Sequence, residues 1–195
     1  AINGLFDRMS SQHTWYPECG KNIHYFNGWA TNKAHKINRK VILPINGFYS
    51  YSSWRHNELD TYHIYTTLGD IEKVLDYLDQ GATTEYSLRA ALKLAEGSGK
   101  TKNIQCKYFS VTFYKKGTCH IVFHEQRIVD ILNIYGARSR NWLPPDYGKR
   151  RYEDMSPDAQ AVIDEFQGKA AYDEVMNQPG VYLPNLTTPL LAAAT

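Results

Sequence analysis

The spacing of apolar residues changes several times along this chain, and each spacing predicts one type of element. Apolar side chains that recur at intervals of three and four form one face of a helix. Such intervals, or a helix-start signal, predict six helical segments: 2–9, 71–78, 88–95, 128–132, 157–166 and 169–176. The fifth has the clearest beginning, since Ser156 can cap the first turn, Pro157 suits the first helical position and Asp158 complements the helix dipole. Glycines are expected to end two others, Gly97 the third segment and Gly136 the fourth.

Short runs of β-branched and aromatic residues predict strands instead. Three such runs are separated by turn residues: Arg39–Leu43, Gly47–Trp54 and Thr61–Thr67. Farther along, residues 106–113 and 119–124 predict a β-hairpin with Lys115–Thr118 as its turn. The aromatic-rich residues 13–29 and the segment 136–155 are predicted to be long loops.

Together these elements indicate an α+β fold with a mostly antiparallel sheet, which contains the β-hairpin and is flanked by short helices. The predicted C-terminal helical pair is followed by a stretch containing Pro179, Pro184 and Pro189, which is typical of an extended tail. We therefore predict a single α+β domain over residues 1–176 and an extended C-terminal arm over 177–195.

Length and composition narrow the class of protein without identifying an activity. A chain of 195 residues can bury a conventional core without a metal or a disulfide. Its three cysteines, Cys19, Cys106 and Cys119, are scattered and odd in number, which argues for a reducing environment and predicts a cytoplasmic location. Neither a long apolar run nor a signal-peptide pattern occurs, so no membrane association is expected. The first residue is Ala1 rather than methionine, which fits a piece processed or excised from something longer.

The uneven distribution of charge is the most informative feature of the composition. Residues 100–151 contain eleven Lys and Arg residues and three acidic ones, a local charge of +8 in a chain whose formal net charge is +2. Residues 21–40 carry a further +5, whereas residues 41–99 and 152–195 are acidic. Basic blocks bracketed by acidic ones predict a surface that binds a polyanion, most simply nucleic acid.

The candidate binding residues form three sets. The first set follows Trp29 and consists of Lys33, Lys36, Arg39 and Lys40. The second set occupies the hairpin turn and consists of Lys115 and Lys116. The third set lies in the second long loop and consists of Arg138, Arg140, Trp142, Tyr147, Lys149, Arg150 and Arg151. Cations neutralise phosphates, and interleaved aromatic rings can stack on exposed bases. The alternative is a solvated surface whose cations pair with the acidic residues of the C-terminal helices, such as Asp154 and Asp158.

Motifs that suggest catalysis are weaker. Residues 97–101 (GSGKT) resemble the end of a phosphate-binding loop, but a helix is predicted before them and Leu94 replaces the required glycine, so a helix stop is favoured. Four residues combine acids with histidines and could converge on one strand face as a metal-dependent nuclease site: His56, Glu58, Asp60 and His63. His120 and His124 share a face of the returning hairpin strand, but no further ligand has zinc-site spacing. We therefore predict no catalytic residue, no metal site and no cofactor.

Several segments together resemble one kind of domain: residues 107–123 (KYFSVTFYKKGTCHIVF), 143–157 (LPPDYGKRRYEDMSP), 161–168 (AVIDEFQG), 26–33 (FNGWATNK) and 70–78 (DIEKVLDYL). They resemble an uncharacterised bacterial and phage domain that often lies C-terminal to, or beside, adenine-N6 DNA methyltransferase modules. The resemblance spans about residues 22–176 and implies a role in DNA modification, or in phage or mobile-element biology. It carries over no catalytic residue. Methyltransferase chemistry itself is not implied, because the Asp/Asn-Pro-Pro-Tyr/Phe motif is replaced here by Leu143-Pro-Pro-Asp146.

The leading hypothesis from the sequence is a DNA-binding module without catalytic activity of its own, an accessory or target-recognition domain for an adenine methyltransferase. Two alternatives stay open. One is a nucleic-acid-processing enzyme that uses the acids and histidines of residues 56–63 or the hairpin histidines. The other is a protein-interaction domain, in which the basic residues dock on an acidic partner.

Overall fold

A computed structural model describes residues 2–10, 23–26, 29–33, 36–80, 87–139 and 141–183. The helices of this part of the chain are α1 (Ile2–Ser10), α2 (Thr61–Asp79), α3 (Leu88–Gly97), α4 (Gln126–Ser139), α5 (Pro157–Phe166), α6 (Lys169–Asn177) and α7 (Pro179–Tyr182), with one turn of 3-10 helix at Tyr152–Asp154. The strands are β1 (Ile23–Phe26), β2 (Trp29–Lys33), β3 (Lys40–Leu43), β4 (Ile104–Gln105), β5 (Phe109–Tyr114) and β6 (Thr118–Phe123). None of the described helices combines the length and the apolar character needed to cross a bilayer.

The main sheet is antiparallel and has the strand order β3-β6-β5-β4, which confirms the predicted α+β class. Its centre is the hairpin of β5 and β6, in which Phe109 pairs with Phe123 and Tyr114 with Thr118. Alternate residues of the hairpin form a buried apolar face: Phe109, Val111, Phe113, Cys119, Ile121 and Phe123. Burying one such large side chain contributes about 1.5–3 kcal/mol, so this face anchors the sheet. Strands β1 and β2 form a separate antiparallel pair.

Helix α2 shows how packing overrides local propensity. The prediction of a strand over Thr61–Thr67 is wrong, because these residues form the first turns of the helix. Asp60 caps α2 by accepting a backbone N–H of its first turn at 3.0 Å. Ile64 and Leu68 are fully buried and extend the apolar stripe of residues 71–78 toward the N-terminus. The β-branched and aromatic residues between the members of this stripe disfavour a helix. Burial of the stripe stabilises the helix by more than this cost.

Three further boundaries differ from prediction. The predicted strand over Gly47–Trp54 is a loop, apart from one isolated bridge at its start. Part of the predicted loop 13–29 forms β1 and the beginning of β2, while residues 11–22 lie outside the described part of the chain. Helix α4 continues through Gly136, because the buried stripe continues with Ala137.

Other local signals are confirmed. The hairpin forms with its turn at the predicted residues. Helix α3 ends at Gly97, where the hydroxyl of Ser98 donates to the carbonyl oxygen of Leu94 at 3.0 Å, so the GSGKT segment is a helix stop. Ser156 caps α5 by accepting the N–H of Ala159 at 3.3 Å. These features depend on neighbouring residues alone, which is why the sequence pattern predicts them.

The chain divides into two compact units, Ala1–Val129 and Asp130–Thr195. The first unit contains both sheets and α1 to α3. The second contains α5 to α7, packed around buried tyrosines. The beginning of the predicted C-terminal arm is helical, since Pro179 starts α7 and Tyr182 and Leu183 are buried. Residues 184–195 lie outside the described part of the chain.

Candidate functional site

The hairpin turn presents two of the predicted cations. Lys115 and Lys116 are both exposed between β5 and β6. The ammonium group of Lys115 donates to Oδ1 of Asn57, which attaches the turn to the loop that precedes α2. Lys116 has no hydrogen-bond or ion-pair partner among the described residues. Because an ammonium group has three donors, both lysines can still bind an anion.

The first predicted set divides between different roles. Arg39 donates Nε and Nη2 to two successive carbonyl oxygens at the end of β6, at 3.0 and 2.6 Å, and so holds the edge of the sheet. Lys40 begins β3 and is exposed, whereas Lys36 is half-buried. Lys33 ends β2, and its side chain lies outside the described part of the structure. Among the described side chains of this set, Lys40 is the cation that is best placed to contact a ligand.

Lys40 lies close to a pair of rings on the sheet. Tyr114 and His120 occupy adjacent strands, with their ring centroids 4.4 Å apart. Burial, and then the charge of Lys40, lower the pKa of His120. The imidazole Nε2 of His124 is buried without a hydrogen-bond partner among the described residues. The hairpin histidines therefore lie in different surroundings.

The long loop after α4 is fixed by buried tyrosines. The hydroxyl of Tyr172 accepts the N–H of Gly148 at 3.1 Å and donates to the carbonyl oxygen of Arg150 at 2.6 Å. Tyr147 is 1% exposed, packs edge-on against Tyr172 and donates its hydroxyl to Gln167 Oε1 at 3.0 Å. Burial raises the pKa of Tyr147 far above its ordinary value. The ring of Tyr147, which the sequence predicts to stack on a base, thus belongs to the core of this unit.

Gly148 makes this tight packing possible. Its φ of +76° lies in the left-handed region that side chains disfavour. A Cβ at this position would lie 2.6 Å from Cδ1 of Leu183, closer than real contacts allow. A side chain at this position would therefore strain the backbone and displace Leu183, which explains the glycine.

Three consecutive cations project from the loop that the tyrosines fix. Lys149, Arg150 and Arg151 are all exposed. Arg150 makes one loose ion pair with Asp146, at 3.5 Å, and 60% of its side chain stays exposed. Among the described residues, no carboxylate lies within ion-pair distance of Lys149 or Arg151. Hydrogen bonds hold the backbone of this segment at Gly148 and Arg150 while its charges face solvent.

The acidic residues that follow have other partners. Lys169 pairs with Glu153 at 2.7 Å and with Asp173 at 2.6 Å, and these two carboxylates raise its pKa. The hydroxyl of Tyr152 donates to Asp164 at 2.7 Å. These contacts engage acidic residues of the C-terminal helices with partners other than Lys149, Arg150 and Arg151, which weakens the alternative of a surface paired with those helices.

The remaining members of the third set differ in exposure. Arg138 is half-buried, and burial lowers its pKa. Trp142 is 38% exposed, and its backbone N–H donates to the carbonyl oxygen of Ala137 at 3.0 Å. Arg140 lies outside the described residues. Trp142 is therefore the one predicted aromatic ring of the set with a sizeable exposed surface among the described residues.

The acids and histidines of residues 56–63 do not share a strand face, because this segment is a loop followed by the start of α2. Glu58 pairs with Arg55 at 2.7 Å, and Asp60 caps the helix. No cluster of three or more potential metal ligands occurs within the described residues. The convergence on which the nuclease alternative depends is thus missing from this segment.

A partly buried ionic network is present that the sequence does not reveal. The carboxylate of Asp79 is fully buried and pairs with Nη2 of Arg127 at 2.7 Å. The hydroxyl of Tyr108 donates to Asp76 at 2.8 Å and to Asp79 at 3.4 Å, and Lys107 also pairs with Asp76. Burial raises the pKa of Tyr108. Each acid has a cationic partner, so the network links α2 to the sheet and to α4 as a structural element.

Three strongly exposed aromatic residues are also absent from the sequence-based set. Tyr51, Trp54 and Tyr62 are 90%, 86% and 78% exposed. The first two lie in the segment predicted as a strand, in which such rings would be half-buried. The serines and asparagine between them in residues 50–57 are the signal that could have indicated an exposed loop.

Comparison with known proteins identifies the family alone. No curated protein and no solved structure matches the chain. A family model described as "Domain of unknown function (DUF4942)" matches residues 1–142, which include the hairpin turn and the exposed aromatic residues. The match ends within the loop after α4, before Lys149, Arg150 and Arg151. Because it covers well over half of the sequence, the chain belongs to this family of domains of unknown function.

Proposed function

We propose that this protein is a DNA-binding module that contacts the phosphate backbone. The observation that carries the proposal is the hydrogen-bonded loop of the second unit, in which Lys149, Arg150 and Arg151 are exposed while Tyr172 holds the backbone and Tyr147 is buried beside it. A preorganised set of cations loses little conformational freedom on binding, so more of its electrostatic attraction appears as affinity.

Cations of the first unit support the same proposal independently. Lys40, Lys115 and Lys116 are exposed on β3 and at the hairpin turn. Phosphate contacts of this kind position a protein on DNA without reading its sequence. The resemblance of residues 107–123 and 143–157 to a domain found beside adenine methyltransferases supports an accessory or target-recognition role in DNA modification, or in a phage or mobile element.

The test compares two triple variants that remove the same charge. Lys149, Arg150 and Arg151 are replaced by alanine in one, and the exposed Lys73, Arg89 and Lys93 of α2 and α3 in the other. Fluorescence anisotropy measures binding to a labelled duplex of random sequence over a series of salt concentrations.

We expect the first variant to bind at least about tenfold more weakly at low salt. The slope of the logarithm of affinity against the logarithm of salt concentration should become shallower by up to about 0.9 for each phosphate contact removed. The second variant should retain most of the wild-type affinity. Equal losses in the two variants would mean that net charge, and not this loop, determines binding. An affinity of the wild-type protein that does not change with salt would contradict the phosphate contacts themselves.

A further inference from the structure

The loop that precedes α2 exposes aromatic rings to an unusual extent. Tyr51 and Trp54 are 90% and 86% exposed, and Tyr62, in the first turn of α2, is 78% exposed. Single exposed aromatic residues are common, but three within twelve positions of the sequence are unusual and suggest a binding surface.

The loop is nevertheless held firmly by one arginine. The guanidinium of Arg55 pairs with Glu58 at 2.7 Å and with Glu96 of α3 at 3.1 Å. The same guanidinium contacts Tyr49 in two ways. Its Nη1 donates to the tyrosine hydroxyl at 3.1 Å, and its central carbon lies 4.5 Å from the centroid of the ring. The guanidinium of Arg55 also lies 5.9 Å from the centroid of the Trp54 ring, so the residue that closes the loop contacts one of its exposed rings.

The base of the loop is closed by the backbone. Tyr49 donates its N–H to the carbonyl oxygen of Glu58 at 3.2 Å, and Asp60 donates its N–H to that of Gly47 at 2.9 Å. Gly47 lies so close to Phe113 of β5 that a Cβ there would be 2.2 Å from the ring. The loop is therefore packed directly against the sheet near the end of β5.

This packing brings the loop that carries the aromatic rings to the hairpin turn that carries the lysines. Lys115 binds Asn57, which lies between Trp54 and Tyr62 in the loop, and Lys116 follows it in the turn. The nearby acids are occupied, since Glu58 pairs with Arg55 and Asp60 caps α2. Lys115 and Lys116 form no ion pair among the described residues, so positive charge is available on the turn side of the loop.

We propose that Tyr51, Trp54 and Tyr62, together with Lys115 and Lys116, form a stacking site for the unpaired bases of single-stranded nucleic acid. The proposal rests on the proposed function and adds the form of nucleic acid that is bound. Aromatic rings stack on base faces, and those faces are accessible only where bases are unpaired. The lysines supply contacts to the phosphates of the same strand.

One side of the site already contains a pair of stacked rings. The ring of Tyr51 stacks on His56, with centroids 5.7 Å apart and planes inclined by 23°. The exposed side of Tyr51 is then free to continue the stack with a base. An interface with a protein would use the same rings, but the adjacent lysines favour a polyanion.

The experiment uses the full chain and three labelled probes: a 20-nucleotide oligo-thymidine, an oligo-uridine of equal length and a 20-base-pair duplex. The test variant replaces both Tyr51 and Trp54 by alanine. Tyr77→Ala is the matched control, because Tyr77 is an exposed tyrosine of α2 outside the loop. Tyr51→Phe with Trp54→Phe keeps aromatic rings at both positions.

We expect the double alanine variant to bind the single-stranded probes at least about tenfold more weakly, with duplex affinity unchanged within about twofold. The control and the double phenylalanine variant should stay close to wild type. The ratio of the two single-stranded affinities tells whether DNA or RNA is preferred.

Unchanged single-strand affinity in the double alanine variant would overturn the inference, as would an equal loss for duplex and single strand. A wild-type protein that binds duplex but neither single-stranded probe would overturn it too, while the proposed function stands. A protein that binds none of the probes contradicts both, and favours a protein partner for the aromatic surface.

Discussion

Two loops of this protein use aromatic residues and arginines in opposite ways. In the loop before α2, Arg55 is held by carboxylates and a tyrosine, while Tyr51 and Trp54 face solvent. In the loop after α4, Tyr147 is buried, and Arg150 and its neighbours face solvent. Each loop is fixed by the residue type that the other exposes. Composition alone therefore does not tell which side chains are structural and which can bind a partner.

The prediction with the largest expected effect on this comparison replaces one tyrosine in each loop. Tyr147→Ala removes a fully buried ring and should lower the free energy of unfolding by about 3–5 kcal/mol. Tyr51→Ala removes a ring that is 90% exposed and should change it by less than about 0.5 kcal/mol. Urea unfolding followed by circular dichroism measures both. Similar effects of the two substitutions would contradict the assignment of opposite roles.

The second prediction concerns the hydroxyl group that fixes the basic loop. Tyr172→Phe leaves the N–H of Gly148 and the carbonyl oxygen of Arg150 without this partner, which should cost about 1–3 kcal/mol of stability. The ring itself remains, so the core keeps its packing. Tyr77→Phe, at an exposed site, is the control and should have no measurable effect. Duplex affinity should fall in the Tyr172 variant only, because its cations become less ordered.

The pH dependence of stability should reflect the same buried tyrosine. Burial raises the pKa of Tyr147 in the folded protein, whereas an unfolded tyrosine titrates near pH 10. Stability from this group is therefore full below pH 10 and is lost as the pH rises above it, by about 1.4 kcal/mol at pH 11. Tyr147→Phe should unfold with a shallower dependence between pH 9 and about pH 11. An identical dependence in wild type and variant would show that Tyr147 does not titrate differently on unfolding.

How much of this could be predicted from sequence depends on the range of the interactions. The cap at Ser156, the helix stop at Gly97 and the hairpin turn are set by neighbouring residues, and all are predicted correctly. The segment Thr61–Thr67 has strand propensity but is helical, because Ile64 and Leu68 pack into a core formed by distant residues.

The candidate site shows the same limit. The exposed cations at residues 149–151 follow from charge alone. That Tyr147 is buried depends on Tyr172 and Gln167, twenty or more positions away, and no local pattern specifies those contacts. The proximity of Asn57 to Lys115 likewise arises from packing between segments that are 58 residues apart.

The smallest predicted effect compares the two arginines directly. Arg55→Ala should lower the urea midpoint, because Glu58, Glu96 and Tyr49 lose a common partner, while Arg150→Ala should leave the midpoint nearly unchanged. The loss for Arg55 should be modest, since ion pairs that water reaches contribute little. Arg55→Lys retains the charge without the forked geometry and should recover only part of the stability.

DNA binding should rank the same two arginines in reverse. Arg150→Ala removes an exposed cation and should weaken duplex binding, whereas Arg55→Ala leaves the second unit's cations in place and should affect duplex affinity less. The decisive experiment measures the urea midpoint and the duplex affinity of each variant and compares both values with those of the wild-type protein. If Arg55→Ala weakened duplex binding more than Arg150→Ala without unfolding the chain, then Arg55 would itself be a contact residue. In that case Arg55 would reach a phosphate even though Glu58 and Glu96 hold its guanidinium. Arginines would then bind DNA in both loops, and only the aromatic residues would distinguish the two loops.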